Sequence, residues 1–114
     1  MFLLIAHVRV DPGEAPEQAL ADAQAPVRLL AAQPDTRRLR WARSTEDARR
    51  LVLTAEFDSA AGYRRALSPF DVRTVVVPWL SRADVVTAGV LEVLLAADHG
   101  AVQEPEITVP DPDR

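Results

Sequence analysis

Cysteine, lysine and asparagine are missing altogether from these 114 residues, glycine occurs four times, and aromatic residues make up only 5%. Without cysteine the fold has neither disulfides nor thiolate metal sites to lean on, and nothing points to an oxidising compartment, so the cytoplasm is the expected location. The few glycines form no G-x-G-x-x-G or Walker pattern, and no G-x-S-x-G occurs, so flavin, nicotinamide, ATP and a serine nucleophile are not implied. His7 and His99, the two histidines, stand far apart with no helical metal-ligand spacing, so no metal is expected. Long apolar runs are also absent. The opening Met1 to Ala6 is apolar, but His7 and Arg9 interrupt it and no basic segment precedes it, so it reads as a strand rather than a leader or a membrane span. Arginine supplies every basic side chain, and the net charge of −4 gives no basic field for nucleic acid.

What remains is ordinary globular composition, 48% hydrophobic and 26% charged, at the length of one domain with one core. Phe2 to Val10 marks a first strand, buried on both faces and stopped by Asp11-Pro12-Gly13. From Glu14 to about Gln33, Leu20, Ala23, Val27 and Leu30 recur at helical spacing, with Pro26 expected to kink or divide the helix. Arg38 to Ser44 alternates, with Leu39, Trp41 and Arg43 on one face. It pairs through a polar turn with Leu51 to Phe57 as an antiparallel hairpin. Asp58 or Ser59 can cap a helix from Ala60 to Leu67, and Ser68-Pro69-Phe70-Asp71 starts a second short one, expected to stop near Val77 because of Pro78. Val85 to Ala96 is taken as the last strand. The expected class is α+β, a ferredoxin-like β-α-β-β-α-β domain over residues 1–100 with a four-stranded antiparallel sheet and helices on one face, followed by an acidic, proline-rich tail over 101–114. In this reading Leu51, Leu53, Ala55, Val93 and Leu95 leave the second sheet face apolar, and a partner subunit covers it.

Leu51 to Ser81 resembles the antibiotic-biosynthesis monooxygenase family. Glu56-Phe57-Asp58-Ser59 followed by Tyr63 stands where that family has an acidic-aromatic step, a polar cap and an aromatic-bearing helix, with Phe57 in place of the usual Trp. The Asp-Pro-Gly after the first strand is similar to the family's approach to its first helix, and the likeness spans about residues 2 to 96. The resemblance implies a homodimer whose two sheets form an α+β barrel, with a pocket between sheet and helices in each subunit. It also implies small aromatic or polyketide-like ligands, since family members include oxygenases that use no metal or flavin on quinols and anthrone-like aromatics. Others degrade haem or serve polyketide pathways. Two departures count against simple transfer: the family's polar first-strand residue is often Asn, which this chain lacks, and its helical His falls on Ala66.

Cofactor-free oxygenation requires a base, an apolar lining and a few oriented donors. His7 is the candidate base, because histidine is the side chain that titrates near neutral pH, and Tyr63 offers a hydroxyl; these are the expected catalytic pair. Trp41, Phe57, Phe70 and Trp79 are candidates to line a substrate site, with Arg43 at its mouth. Each aromatic residue has an equally simple account as core packing. Other arginines of the hairpin fit a solvated edge that resists strand-to-strand aggregation. A non-catalytic small-molecule binder and a polyketide cyclase-type enzyme are the rival readings of the same residues.

Overall fold

The computed structural model describes residues 1–83 and 89–108. In chain order these form β1 (Phe2–Arg9), α1 (Pro16–Ala31), β2 (Thr36–Arg43), β3 (Arg50–Phe57), α2 (Ala60–Ala66), α3 (Phe70–Leu80), β4 (Gly89–Glu92), β5 (Ala96–Asp98) and β6 (Ala101–Gln103). Strands β2-β3-β1-β4 make one antiparallel sheet in that order, and β5 and β6 form a separate two-stranded hairpin. This is the ferredoxin-like α+β arrangement, with the second helical position divided between α2 and α3.

Side-chain alternation decides the two faces. Along β1 the even residues Phe2, Leu4, Ala6 and Val8 are buried, and along β3 the odd residues Leu51, Leu53, Ala55 and Phe57 are buried at 1% exposure or less. Phe2 lies opposite Phe57 and Leu4 opposite Ala55, so these side chains share one face, which packs on the helices. Leu51, Leu53 and Ala55 are therefore core residues beneath the helices rather than parts of an uncovered face. The open face instead carries Leu3, Ile5 and His7 of β1 beside Val52, Thr54 and Glu56 of β3, all half-buried. β1 is thus fully buried on one side only.

Helix α1 runs through Pro26 without dividing. Pro26 is itself buried with Ala19, Ala23 and Leu30, so its ring fills core space. The lost main-chain bond falls on the carbonyl of Asp22, an exposed residue. Likewise α3 continues past Val77 and through Pro78 to Leu80, because Val72, Val76 and Trp79 fall at helical spacing and are all buried. The run Val75-Val76-Val77, β-prone by composition, owes its helical state to that spacing. Asp71 accepts a hydrogen bond from the Val72 N–H at 2.9 Å, and Pro69 rather than Ser68 occupies the cap position. In α2, Ser59 caps the helix by accepting from the Gly62 N–H at 3.0 Å.

Two polar clusters hold the loops. Ser44 accepts from the N–H groups of Glu46 and Asp47, at 3.1 and 3.2 Å, and closes the β2–β3 turn. Arg49 then donates to the carbonyls of Asp11 and Glu14, at 2.7 and 2.9 Å, and ties that turn to the β1–α1 loop. At the C-terminal end, β4 supplies only Gly89–Glu92 of the strand expected over 85–96, of which residues 85–88 lie outside the described ones. Residue 100 sits in a two-residue turn, with His99 at φ 48° and Gly100 at φ 83°, that joins β5 to β6. Ile107 is exposed outside any strand, and Val109 lies outside the described residues. Among the described residues no helix is long and apolar enough to cross a membrane.

The burial pattern separates two substitutions by outcome. Leu53→Ala, which empties a position at 0% exposure, is expected to lower the free energy of unfolding by about 2–5 kcal/mol in urea titrations. Phe70→Ala, at a side chain 75% exposed, is expected to change it by less than about 0.5 kcal/mol.

Candidate functional site

The candidate residues fall into separate groups. On the helix side of the sheet, Trp41 of β2 and Trp79 of α3 meet edge to face, with ring centroids 5.2 Å apart and planes at 67°. Trp41 lies opposite Leu53 in the register and Arg43 opposite Leu51, so Arg43 shares this face and follows Trp41 along the edge strand. Arg43 is exposed and makes no ion pair among the described residues. Trp79 is 8% exposed and anchored in the core. The indole Nε1 of Trp41 is buried and has no hydrogen-bond partner among the described residues. A buried donor without an acceptor costs free energy, and a ring face is only a weak acceptor, so this N–H retains most of its bonding capacity.

A second aromatic pair lies farther along the sheet, where Tyr63 of α2 packs edge to face on Phe57 of β3 with centroids 5.5 Å apart. Burial pushes the Tyr63 phenol above the ordinary tyrosine value. Leu39, opposite Ala55, stands between the two aromatic pairs. Phe70 is exposed at the start of α3 and joins neither.

His7 is on the other face. It pairs with Val52 across β1 and β3, in the set of half-buried side chains that points away from the helices. His7 and Tyr63 therefore lie on opposite sides of one sheet, and a single small molecule bound within one protomer cannot touch both. Ala66, where the resemblance places a helical His, is 1% exposed within the core. The polar step residue Glu56 is on the open face, with a carboxylate oxygen 4.0 Å from the Arg38 guanidinium. Among the described residues no group of three or more His, Asp or Glu is placed to hold a metal ion.

Sequence reading missed one strong polar contact. Arg65 of α2 donates to both carboxylate oxygens of Asp35, at 2.9 and 3.2 Å, and fastens the α1–β2 loop to α2. Thirty residues separate the partners, so no local pattern reveals them. Nor can a sequence reveal the orphaned indole N–H of Trp41, which exists only through packing.

This geometry defines a ferredoxin-like α+β domain with aromatic pairs between its sheet and helices. The profile of the antibiotic biosynthesis monooxygenase family matches residues 1–69, more than half of the chain, and the protein belongs to that family. Solved structures share the fold. A variant of SnoaB, a cofactor-independent oxygenase from Streptomyces nogalater, superposes with a TM-score of 0.65 at 17% identity, covering 81% of this chain and 91% of that one. An antibiotic biosynthesis monooxygenase superposes at 0.62 and 17% identity over 96% and 100% of the two chains. Rv0793 from Mycobacterium tuberculosis does so at 0.60 and 15% identity over 96% and 98%. No curated protein matches the sequence.

The Asp35–Arg65 contact has a pH signature. The guanidinium bonds hold the Asp35 carboxyl below the ordinary aspartate value, so their stabilisation is fully present above that value and disappears as pH falls through the lowered one. Asp35→Asn is expected to lower the melting temperature at pH 7. Melts at successively lower pH are expected to show the gap from wild type closing below about pH 4, as the native carboxyl takes up its proton.

Proposed function

We propose that this chain is a cytoplasmic, homodimeric, cofactor-independent monooxygenase that oxidises an electron-rich aromatic, quinol or polyketide-like small molecule. Family membership supports the reaction type. The observation that carries the site is the unsatisfied Trp41 N–H, held beside Trp79 on the same strand face as Arg43. β2 is the edge strand, so Trp41 lies at the rim of the sheet, and a flat ligand would meet this buried donor by displacing the Trp79 ring from it.

In an anthrone-type substrate, whose methylene is acidified by the conjugated carbonyl, loss of a proton to solvent water as the ligand enters gives a carbanion delocalised onto the ring oxygen. The Trp41 N–H donates to that oxygen, and the Arg43 charge favours the anion over its neutral parent. The apolar surround of Trp79 and the core keeps water from the anion while oxygen takes an electron from it. Recombination forms a carbon–oxygen bond, and loss of water leaves a carbonyl. The substrate methylene becomes C=O, one oxygen atom is retained and the other departs as water. All four electrons come from the substrate, so no external reductant is needed. The open sheet face, with Leu3, Ile5, Val52 and the exposed Leu91, is covered in this reading by a second copy.

A second reading has its own support. No polar or charged side chain is fully buried among the described residues, so the helix side offers no enclosed base, as suits a binding protein of the same fold.

Oxygen uptake on a panel of hydroxyanthracenes and quinols tests the proposal. Trp41→Phe, which keeps an aromatic ring but removes the donor, is expected to lower turnover by about 10²–10³-fold in a folded protein. His7→Gln, on the opposite face, is expected to leave turnover unchanged. A loss of about 10²–10⁴-fold in His7→Gln with little change in Trp41→Phe would instead place the chemistry on the open face, with His7 as base. Tight binding of panel members without oxygen uptake by the wild type would favour the binding-protein reading.

A further inference from the structure

Helix α3 is joined to the rest of the domain by packing and by a single polar contact. From Pro69 to Ala83 every other hydrogen bond among the described residues stays inside that stretch. These run from Asp71 on the Val72 N–H to the closing turn, in which the Arg82 N–H donates to the Trp79 carbonyl at 3.1 Å. The exception is the Arg82 guanidinium, which donates to a carboxylate oxygen of Glu14 at 2.9 Å across 68 residues of sequence. Both side chains are partly buried. Arg82 stands between Trp79 and Ala83, which are both buried, so this pair fixes the segment that carries the Trp79 ring.

The acidic end of the tie is itself held in place. Glu14 lies in the β1–α1 loop, where the Arg49 guanidinium bonds the Asp11 and Glu14 carbonyls at 2.7 and 2.9 Å. Arg49 is positioned in turn by the Asp47 carboxylate, which accepts from its N–H at 3.0 Å within the turn that Ser44 closes. Ser44 directly follows β2, the strand of Trp41 and Arg43. The contacts therefore make a closed circuit. It runs from Trp41 along β2, through the turn to Arg49, on to Glu14 and Arg82, and back through Trp79 to the Trp41 ring at 5.2 Å. Cutting it at Glu14–Arg82 leaves Trp79 held by apolar packing alone, on a turn that already lacks the main-chain bond Pro78 cannot make. A partly exposed ion pair is weak beside the burial of a core and does not hold the fold together. It can decide how often one helix turn opens.

We propose that the Glu14–Arg82 pair is a latch on the last turn of α3. Glu14 and Arg82 are positioning residues that keep Trp79 over the Trp41 N–H until a flat aromatic ligand displaces it, and Arg49 sets Glu14 for that role. The inference rests on the Trp41 site of the preceding section and names what controls entry to it.

Hydrogen exchange of the Trp41 indole N–H, followed by NMR under conditions where the rate tracks the open population, tests the latch. The chain has two tryptophans, so two indole signals are expected, and Trp41→Phe assigns them. Arg82→Gln and Glu14→Gln are each expected to accelerate exchange of this proton about two- to fivefold, the population change that follows loss of a partly exposed ion pair. Arg82→Lys, which keeps the charge, is expected to stay near the wild-type rate. Asp35→Asn breaks an ion pair of α2 instead, and is expected to accelerate only the β1 and β3 amides that open with the whole fold. The amide spectrum confirms folding of each variant. An unchanged indole rate in Arg82→Gln or Glu14→Gln overturns the latch. So does an Arg82→Lys variant as fast as Arg82→Gln, or an Asp35→Asn variant that accelerates the indole as much. No substrate enters the measurement, so a wild type that takes up no oxygen refutes the reaction of the preceding section and leaves this result standing.

Discussion

Eight consecutive backbone pairs between β1 and β3, from Phe2 opposite Phe57 to Arg9 opposite Arg50, decide which side chains can meet. Because a strand alternates with a period of two, this register sends Leu4, Ala6 and Val8 to the helices together with Leu51, Leu53 and Ala55. It sends His7, Arg9, Arg50 and Val52 the other way. A slip of β1 by one residue would bury His7 and Arg9 and expose Leu4, and a slip of β3 would bury Arg50 and expose Leu51 and Leu53, so the burial energy itself enforces the pairing. Both the aromatic contacts beneath the helices and the charged end of the open face are consequences of that single alignment.

Much of the architecture was legible because it is written in local periodicity. The β2–β3 hairpin, the shared face of Leu39, Trp41 and Arg43, the Ser59 cap and the order of elements all follow from alternation, turn residues and capping chemistry. Three features were not legible for identifiable reasons. Pro26 and Pro78 signal breaks, but the buried positions on either side of each supply more than the single hydrogen bond that a proline removes. Leu51, Leu53 and Ala55 could face either side, since alternation tells which residues share a face and not which face the helices take. The C-terminal hairpin rests on a turn of only two residues, His99-Gly100, and its second strand falls in the stretch whose acidic, proline-containing composition suggests a tail.

The candidate site was legible as a set of residue types and not as a place. Histidine, tyrosine and the aromatic residues suggested one pocket, whereas the sheet divides them. Trp41, Trp79 and Arg43 are brought to one edge, Phe57 and Tyr63 to another part of the same side, and His7 to the opposite face. Proximity here depends on the strand register and on α2 and α3 crossing the sheet, neither of which is encoded in any short motif. The separation also divides the proposed chemistry, because an indole donor with a guanidinium on the same strand face would stabilise an anion, whereas a lone imidazole on the far side would have to create one.

The prolines inside α1 and α3 bear on how a bulky molecule could get in. Each removes one main-chain bond at mid-helix, from the carbonyl of Asp22 in α1 and of Thr74 in α3, and these two helices pack on each other above the sheet. The ladder beneath has no such gap between β1 and β3. Local opening is therefore expected to start in the helical layer, at the turns around residues 22–26 and 74–78, with the central strands the last amides to exchange with solvent. Trp79 directly follows Pro78, so the helix turn that lacks a main-chain bond is the one holding the ring over Trp41, and under the proposed function a guest would enter by lifting the roof rather than by parting the floor.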